Sequence, residues 1–376
     1  MEIASQARLR VAVICPWFFR GDAVGAAARE TYLRLSERPD LTVDALWTVN
    51  DYDDVHGRHC ETLAELLLEP IFLQADVIIY VFAVYHAFFD ALLIGNGHGK
   101  QIVRFHNVTP KKYMPEKHWP VIERSFVQIQ NFAFADELWA DSRENLEELE
   151  RQGVGGPRAL IIPLAVHPLI TASLSDKPAQ RIEMMFVGRF FESKGLHELI
   201  EAADILRQTS KAPFRIRLIG NVRFSDPDYI TMVTGMIASR GLEDVVEFVG
   251  SVSGEDLGQA YREAHIFVTG SRHEGFCVPV IEGLAAGCIP ISYAVSNLRF
   301  IAGDLGQLAR SDTPAALAQA MKTVVEGLLE GQVETDRRPM SQQEFDLEAA
   351  AYVGEFAPAV FSQRIYQRVR EVAARA

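Results

Sequence analysis

Short runs of β-branched and aromatic residues alternate along this chain with longer stretches whose apolar positions recur every three or four residues. In the first half, runs at 10–15, 42–48, 76–82, 101–105, 137–140 and 159–162 predict strands. The patterns between them, at 23–35, 61–68, 84–93, 120–134 and 142–152, predict helices. A polar, proline-containing stretch at 171–181 interrupts the alternation and reads as a linker. Strand patterns then resume at 183–187, 215–219, 246–249, 265–268 and 289–292, with helical ones at 195–208, 228–239, 254–264, 279–286 and 313–330.

Alternation of this kind predicts α/β architecture, with parallel sheets covered on both faces. Two doubly wound, Rossmann-like domains in succession are expected to face each other, and ligands of such sheets sit at the carboxyl ends of the strands. The shared cleft is then the natural active site. The expected division is an acceptor-side domain at 1–172, a donor-side domain at 173–345 and a helical segment at 346–376. In the last of these, Phe361, Ile365, Val369 and Val372 share one helical face that needs a partner, and the first domain is the expected one.

Composition narrows the functional classes. Of 376 residues, 48% are hydrophobic and 23% charged, enough apolar surface to exclude disorder as the main state. The net charge of −13 is spread over both halves, so neither reads as a nucleic-acid-binding domain. Cys15, Cys60, Cys277 and Cys288 have neither zinc-site spacing nor the density of a disulfide framework. With no leader pattern at the start, a reducing cytoplasm is the expected location. The longest apolar stretch, 75–94, contains Asp76, His86 and Asp90 and reads as a strand and helix rather than a membrane span.

Four segments are candidates for chemistry. The loop after the first strand carries Gly21 and Gly25, whose spacing does not match the G-x-G-x-x-G dinucleotide fingerprint. It is either a flexible turn or a loop whose backbone approaches a substrate. His106 ends the strand at 101–105, facing a ligand or satisfying a local hydrogen bond. In MMFVGRFFESKG, Arg189 and Lys194 flank a strand-to-helix junction, where two cations and a helix N-terminus can converge on a diphosphate or stand as solvated surface charges. In SRHEGFCVPVIEGLAAGCIPIS, Glu274 precedes a helix opened by Pro279, and Glu282 lies about one turn inside it. The amides of Gly275, Phe276, Cys277 and Val278 would lie at an anion between two carboxylates suited to sugar or ribose hydroxyls.

The combined pattern resembles the retaining glycosyltransferases of the GT-B fold, family 4 (glycosyl transferases group 1). VGRFFESKGLHELIEA, VEFVGSVSGEDLGQAY and RHEGFCVPVIEGLAAGCIPIS carry the resemblance, with FHNVTP, ELWADSRENLEEL and GDAVG supporting it in the first half. It implies that Arg189 and Lys194 bind the donor diphosphate, Glu274 holds hydroxyls of the transferred sugar and Glu282 holds the nucleotide ribose. His106 would contact the donor sugar, amides at 276–278 would cradle phosphate, and Val252 would lie near the base. The implied donor is a UDP- or GDP-sugar. The implied acceptor is a glycan, a lipid-linked or a small-molecule hydroxyl. Retention of configuration and independence of metal ions are also implied. Asp51–Tyr52–Asp53 matches D-x-D but is expected in an exposed loop. Cys277 stands where glycine is frequent in similar proteins.

Three rival readings remain for comparison. A non-catalytic nucleotide-sugar-binding scaffold would be expected to have lost one of Arg189, Lys194, Glu274 or Glu282. A sugar-nucleotide epimerase would need further acid/base carboxylates. A nicotinamide dehydrogenase lacks its glycine fingerprint here. Peripheral attachment at the inner face of a membrane finds no basic amphipathic helix in the first-domain pattern to support it.

Overall fold

In the computed structural model, which describes residues 8–178 and 180–375, the first-half strand patterns assemble into a seven-stranded parallel sheet. Strands β1 (Leu9–Ile14), β2 (Leu41–Trp47), β3 (Gly57–His59), β4 (Val77–Phe82), β5 (Lys100–Phe105), β6 (Glu137–Ala140) and β7 (Arg158–Ile161) lie in the order 3-2-1-4-5-6-7. The order reverses between β1 and β4, the switch point where doubly wound sheets bind ligands. Every residue of β4 is buried, as a central parallel strand requires. Helix α1 (Ala23–Ser36) follows β1, and α2 (Trp119–Ile129) covers the far half of the sheet.

Two local departures from the pattern have simple causes. The stretch expected as a helix at 84–93 is a 3-10 turn at Ala87–Leu93, opened by His86, whose Nδ1 accepts the Phe88 amide at 3.2 Å. Strand β3 escaped notice because its three residues carry no apolar alternation.

The second sheet has six parallel strands: β8 (Ile182–Val187), β9 (Phe214–Ile219), β10 (Val246–Gly250), β11 (Ile266–Val268), β12 (Ile289–Tyr293) and β13 (Gln307–Ala309). Their order, 10-9-8-11-12-13, repeats that of the first sheet without its outermost strand. Helices α3 (Leu196–Thr209), α4 (Gly254–Glu263) and α5 (Val278–Ala285) carry the residues of interest. The helix Gln342–Gly354 has buried positions at Phe345 and Ala349, too sparse a stripe to announce it in the sequence.

The two units meet along the chain at 165/166 and 357/358, not at the expected 172/173 and 345/346. The polar stretch expected as a linker is fastened to the second unit. The Ala172 amide donates to the Ala285 carbonyl at 3.1 Å. The Leu174 and Ser175 amides donate to the Asp346 carboxylate at 2.7 and 3.2 Å. Lys177 Nζ reaches the carbonyls of Ala264 and Ala286. Its polar groups thus satisfy element ends instead of solvent; Ala179 lies outside the described residues.

The helix Pro358–Ala373 belongs to the first unit. Phe361, Ile365, Val369 and Val372 are buried with Val11, Leu35, Ile79 and Trp139. Glu137 on β6 ties the helix down, accepting from Arg368 Nε at 2.9 Å, Arg375 Nη2 at 2.5 Å and Trp139 Nε1 at 2.9 Å.

Candidate active site

In the second unit, two glycines decide the geometry. Gly195 has φ +63, and a Cβ there would meet the Gly270 carbonyl oxygen at 1.9 Å; one on Gly270 would meet the Gly195 oxygen at 2.4 Å. Only glycine at both positions lets the loops after β8 and β11 touch. The contact is extended by the Arg272 amide, which donates to the Ser193 carbonyl at 2.9 Å. It brings the Lys194 turn against the loop that carries Glu274.

Lys194 Nζ lies 2.7 Å from Glu274 Oε1, and Ser271 Oγ donates to the same oxygen at 2.7 Å. The backbone of Glu274 is held too, with its carbonyl accepting from Ser296 Oγ at 2.6 Å. One carboxylate oxygen is therefore fixed by two donors, while Oε2 is left without one among the described residues. Arg189, the other expected diphosphate ligand, is exposed. Its guanidinium lies 5.4 Å from the Phe191 ring centroid and faces no carboxylate among the described residues. The two cations do not stand alike: Lys194 already pairs with Glu274, whereas Arg189 meets no carboxylate among the described residues.

Beyond Glu274 the chain turns into α5 through Gly275, Phe276 and Cys277. Cys277 takes the left-handed conformation, φ 76, and caps the helix with its backbone. This is the conformation glycine adopts without strain, so a non-glycine residue here carries a local cost. Asn297, buried, donates from Nδ2 to the Phe276 carbonyl at 2.8 Å and fixes the turn. The amides of Phe276, Cys277 and Val278 stand at the open end of α5, where partial positive charge collects.

Glu282 lies one turn into α5 and is reached by Tyr261 of α4, whose hydroxyl donates to Oε2 at 2.9 Å. Burial raises the Glu282 carboxyl above its ordinary range, and the Tyr261 hydrogen bond only partly offsets this. As with Glu274, one oxygen is anchored and the other accepts no hydrogen bond among the described residues. Val252, half-buried, follows β10 at the same carboxyl edge of the sheet.

The first unit places its candidates differently. His106 follows β5, and its Nδ1 lies 2.6 Å from Asp141 Oδ2. The other Asp141 oxygen accepts from Arg104 Nε at 2.8 Å, and Arg104 Nη1 donates to Thr31 Oγ1 at 2.6 Å. Asp141 and Arg104 are both buried. Burial alone would raise the Asp141 carboxyl, but the Arg104 charge and the His106 contact outweigh it and hold it below the ordinary range. A carboxylate on Nδ1 fixes the proton there and turns the Nε2 lone pair outward.

Gly21 and Gly25 differ in what the surrounding structure asks of them. Asp22 caps α1, its carboxylate taking the Val24 amide at 3.1 Å and the Gly25 amide at 3.0 Å, so these donors are already used. A Cβ on Gly25 would strike the Phe19 backbone at 2.6 Å, which gives that glycine a packing reason. Gly21, with φ +82, is exposed and unobstructed. In the D-x-D tripeptide, Asp51 accepts the Arg20 amide at 3.2 Å, and Asp53 pairs with Arg20 at 3.0 Å on the surface.

Four supporting residues went unnoticed in the sequence. Ser271 and Asn297 look like ordinary loop residues, and Tyr261 like a core aromatic of α4. Asp141 had one signal: it directly follows the predicted strand at 137–140, the next in the chain after the one that precedes His106.

Comparison with known proteins matches the second unit to the family described as glycosyl transferases group 1, over residues 174–338. Among curated relatives, a GDP-mannose:cellobiosyl-diphosphopolyprenol alpha-mannosyltransferase of Xanthomonas oryzae pv. oryzae is 29% identical over 192 residues, 50% of each chain. A D-inositol 3-phosphate glycosyltransferase of Geodermatophilus obscurus is 26% identical over 211 residues, 52% of this chain and 47% of its own. The chain thus spans about half the length of the curated relatives it matches. Solved structures share the whole architecture. Sucrose-phosphate synthase from Thermosynechococcus elongatus superimposes with a TM-score of 0.72 at 19% identity, covering 98% of this chain and 100% of its own. Anabaena HepE, solved with UDP and glucose, gives 0.72 at 15% identity, with 97% and 100% covered. The fold is GT-B, two Rossmann-like domains in one chain. The second of them is a group 1 glycosyltransferase domain.

Proposed function

We infer that this protein transfers a sugar from a nucleoside-diphosphate sugar to an acceptor hydroxyl in glycan or glycolipid synthesis. The observation that carries the reading is the set of groups at one sheet edge. An open cation, a helix N-terminus and two carboxylates, each anchored through one oxygen, match a diphosphate flanked by hydroxyls. HepE, with its UDP and glucose, and the Xanthomonas enzyme, named for GDP-mannose and a diphosphopolyprenol-linked acceptor, support the donor class.

Breaking the bond between the anomeric carbon and phosphate oxygen leaves positive charge on the sugar and negative charge on the diphosphate. Arg189 and the amides of Phe276, Cys277 and Val278 meet the negative charge where it grows. Glu274 orients the sugar through its unpaired oxygen, with Lys194 and Ser271 holding the carboxylate still. Glu282 accepts from the ribose. His106, oriented by Asp141, presents Nε2 to a donor hydroxyl. No step requires a metal ion, because protein cations and amides supply the positive charge. Attack from the face the leaving group vacates gives retention. Incubating the protein with UDP- and GDP-sugars tests the reading: nucleoside diphosphate release that depends on Arg189 supports it, and a product changed only in sugar configuration, with the diphosphate still attached, would indicate an epimerase.

A further inference from the structure

A groove in the first unit takes no part in donor binding as described. It has a volume of about 730 Å³ and runs between the Ala87–Leu93 turn and α2. That is the size of a small-molecule site. Its wall includes Leu93, Ile94 and Val127, which are 48%, 61% and 72% exposed. Three large apolar side chains open to water along one groove are a standing cost that an apolar ligand would remove.

The polar groups of the groove are unevenly satisfied. Asp90 accepts from Gln128 Nε2 at 2.8 Å and Asn131 Nδ2 at 3.3 Å, and Glu123 is matched by Lys111 Nζ at 2.5 Å. Arg124, in contrast, lies over the Tyr85 ring, 3.6 Å from its centroid, and meets no carboxylate among the described residues. Lys112, which lies over the Tyr113 ring, and Lys117 likewise meet no carboxylate among the described residues. Both sit in the turns that fold onto the start of α2, where Trp119 Nε1 donates to the carbonyls of Lys111 and Met114 at 3.2 and 3.0 Å. Of these cations Arg124 lines the groove itself, and Lys112 and Lys117 stand in the turns that precede α2.

We propose that this groove seats the apolar chain of a phosphate-linked lipid acceptor, with Arg124 and the neighbouring lysines meeting the phosphate. This rests on the glycosyltransferase reading and names its acceptor class. The charge decides the occupant: an uncharged hydrocarbon leaves the cations unused, and a free sugar leaves Leu93, Ile94 and Val127 in water.

The test uses n-alkyl phosphates of eight, ten and twelve carbons, kept monomeric, with inorganic phosphate, the matching alcohols and anionic phospholipid vesicles as comparisons. Wild-type affinity should rise with chain length, by up to about fourfold per buried methylene. Arg124→Glu should weaken every alkyl phosphate at least tenfold, and Val127→Asp should abolish the chain-length dependence. Both positions are at the surface of α2, and both variants should keep wild-type affinity for nucleoside diphosphate. Binding to vesicles without binding to monomeric alkyl phosphates would make the groove a membrane contact and overturn the proposal. Equal binding of inorganic phosphate would overturn it as well. Retained nucleoside diphosphate binding with no amphiphile binding defeats the acceptor proposal alone, whereas absence of nucleoside diphosphate binding defeats the reading on which it rests.

Discussion

Lys194 Nζ and Glu274 Oε1 lie 2.7 Å apart, so the lysine expected on the donor diphosphate is also the partner of the carboxylate expected on the sugar. The two act as one unit, and their substitutions should not add. Lys194→Ala and Glu274→Ala should each lower kcat/KM for transfer more than tenfold, and the double variant should lose little beyond either. A coupling energy of about 1–3 kcal/mol from the double-mutant cycle is expected. Additive losses would mean that Lys194 and Glu274 serve the donor separately.

Glu282 sets function against stability. Its folded-state carboxyl is raised above the ordinary value by burial. A raised carboxyl binds its proton more tightly in the folded than in the unfolded state, so stability falls as pH rises and the group ionises. At neutral pH the charged form is a cost to the fold. Glu282→Gln should therefore raise the thermal midpoint and weaken nucleoside diphosphate binding. Tyr261→Phe should weaken that binding too, with the loss greatest on the acid side, because the tyrosine favours the ionised carboxylate. Calorimetric titration between about pH 5 and pH 8 checks both; a lower midpoint in Glu282→Gln would contradict the account.

Much of this was legible along the chain, and what was not has identifiable causes. Strand–helix alternation announced both sheets because their central strands are buried along their length, as β4 is. The short strands β3 and β13 escaped because Gly57–His59 and Gln307–Ala309 carry no β-branched or aromatic run such as the equally short Ile266–Val268 has. The linker at 171–181 misled because polar composition marks exposed chain only when its polar groups face water. Here Leu174, Ser175 and Lys177 spend theirs on Asp346 and helix-end carbonyls. At the site, Arg189, Lys194, Glu274 and Glu282 stood out by type and spacing. Their anchors did not, since Tyr261 and Ser271 act through a side-chain direction that no sequence spacing records.

Asp141 should matter through His106. Asp141→Asn retains the shape but no longer fixes the Nδ1 proton, and kcat should fall at least tenfold with little change in nucleoside diphosphate affinity. Its lowered carboxyl also contributes to stability. That contribution is present above the ordinary carboxylate pKa and is lost as pH falls through the depressed folded value. Denaturant titrations of wild type and Asp141→Asn should converge at strongly acid pH. A constant gap down to pH 2 would argue against the ion pair as its source.

Glu137 locks the C-terminal helix. Glu137→Ala leaves Arg368 and Arg375 without their buried partner and should cost about 3–5 kcal/mol in urea unfolding of the first unit. Glu137→Gln should cost less. Wild-type stability in the alanine variant would show that the apolar face of Phe361, Ile365, Val369 and Val372 holds the helix unaided.

Calorimetric titration of wild type and Arg189→Ala with UDP and GDP bears most directly on the donor site. At least one nucleotide should bind the wild type, and Arg189→Ala should weaken it at least tenfold, the loss expected for a charge-assisted contact to phosphate. Failure of both nucleotides to bind, or unchanged affinity in Arg189→Ala, would contradict a diphosphate held at the edge of the second sheet.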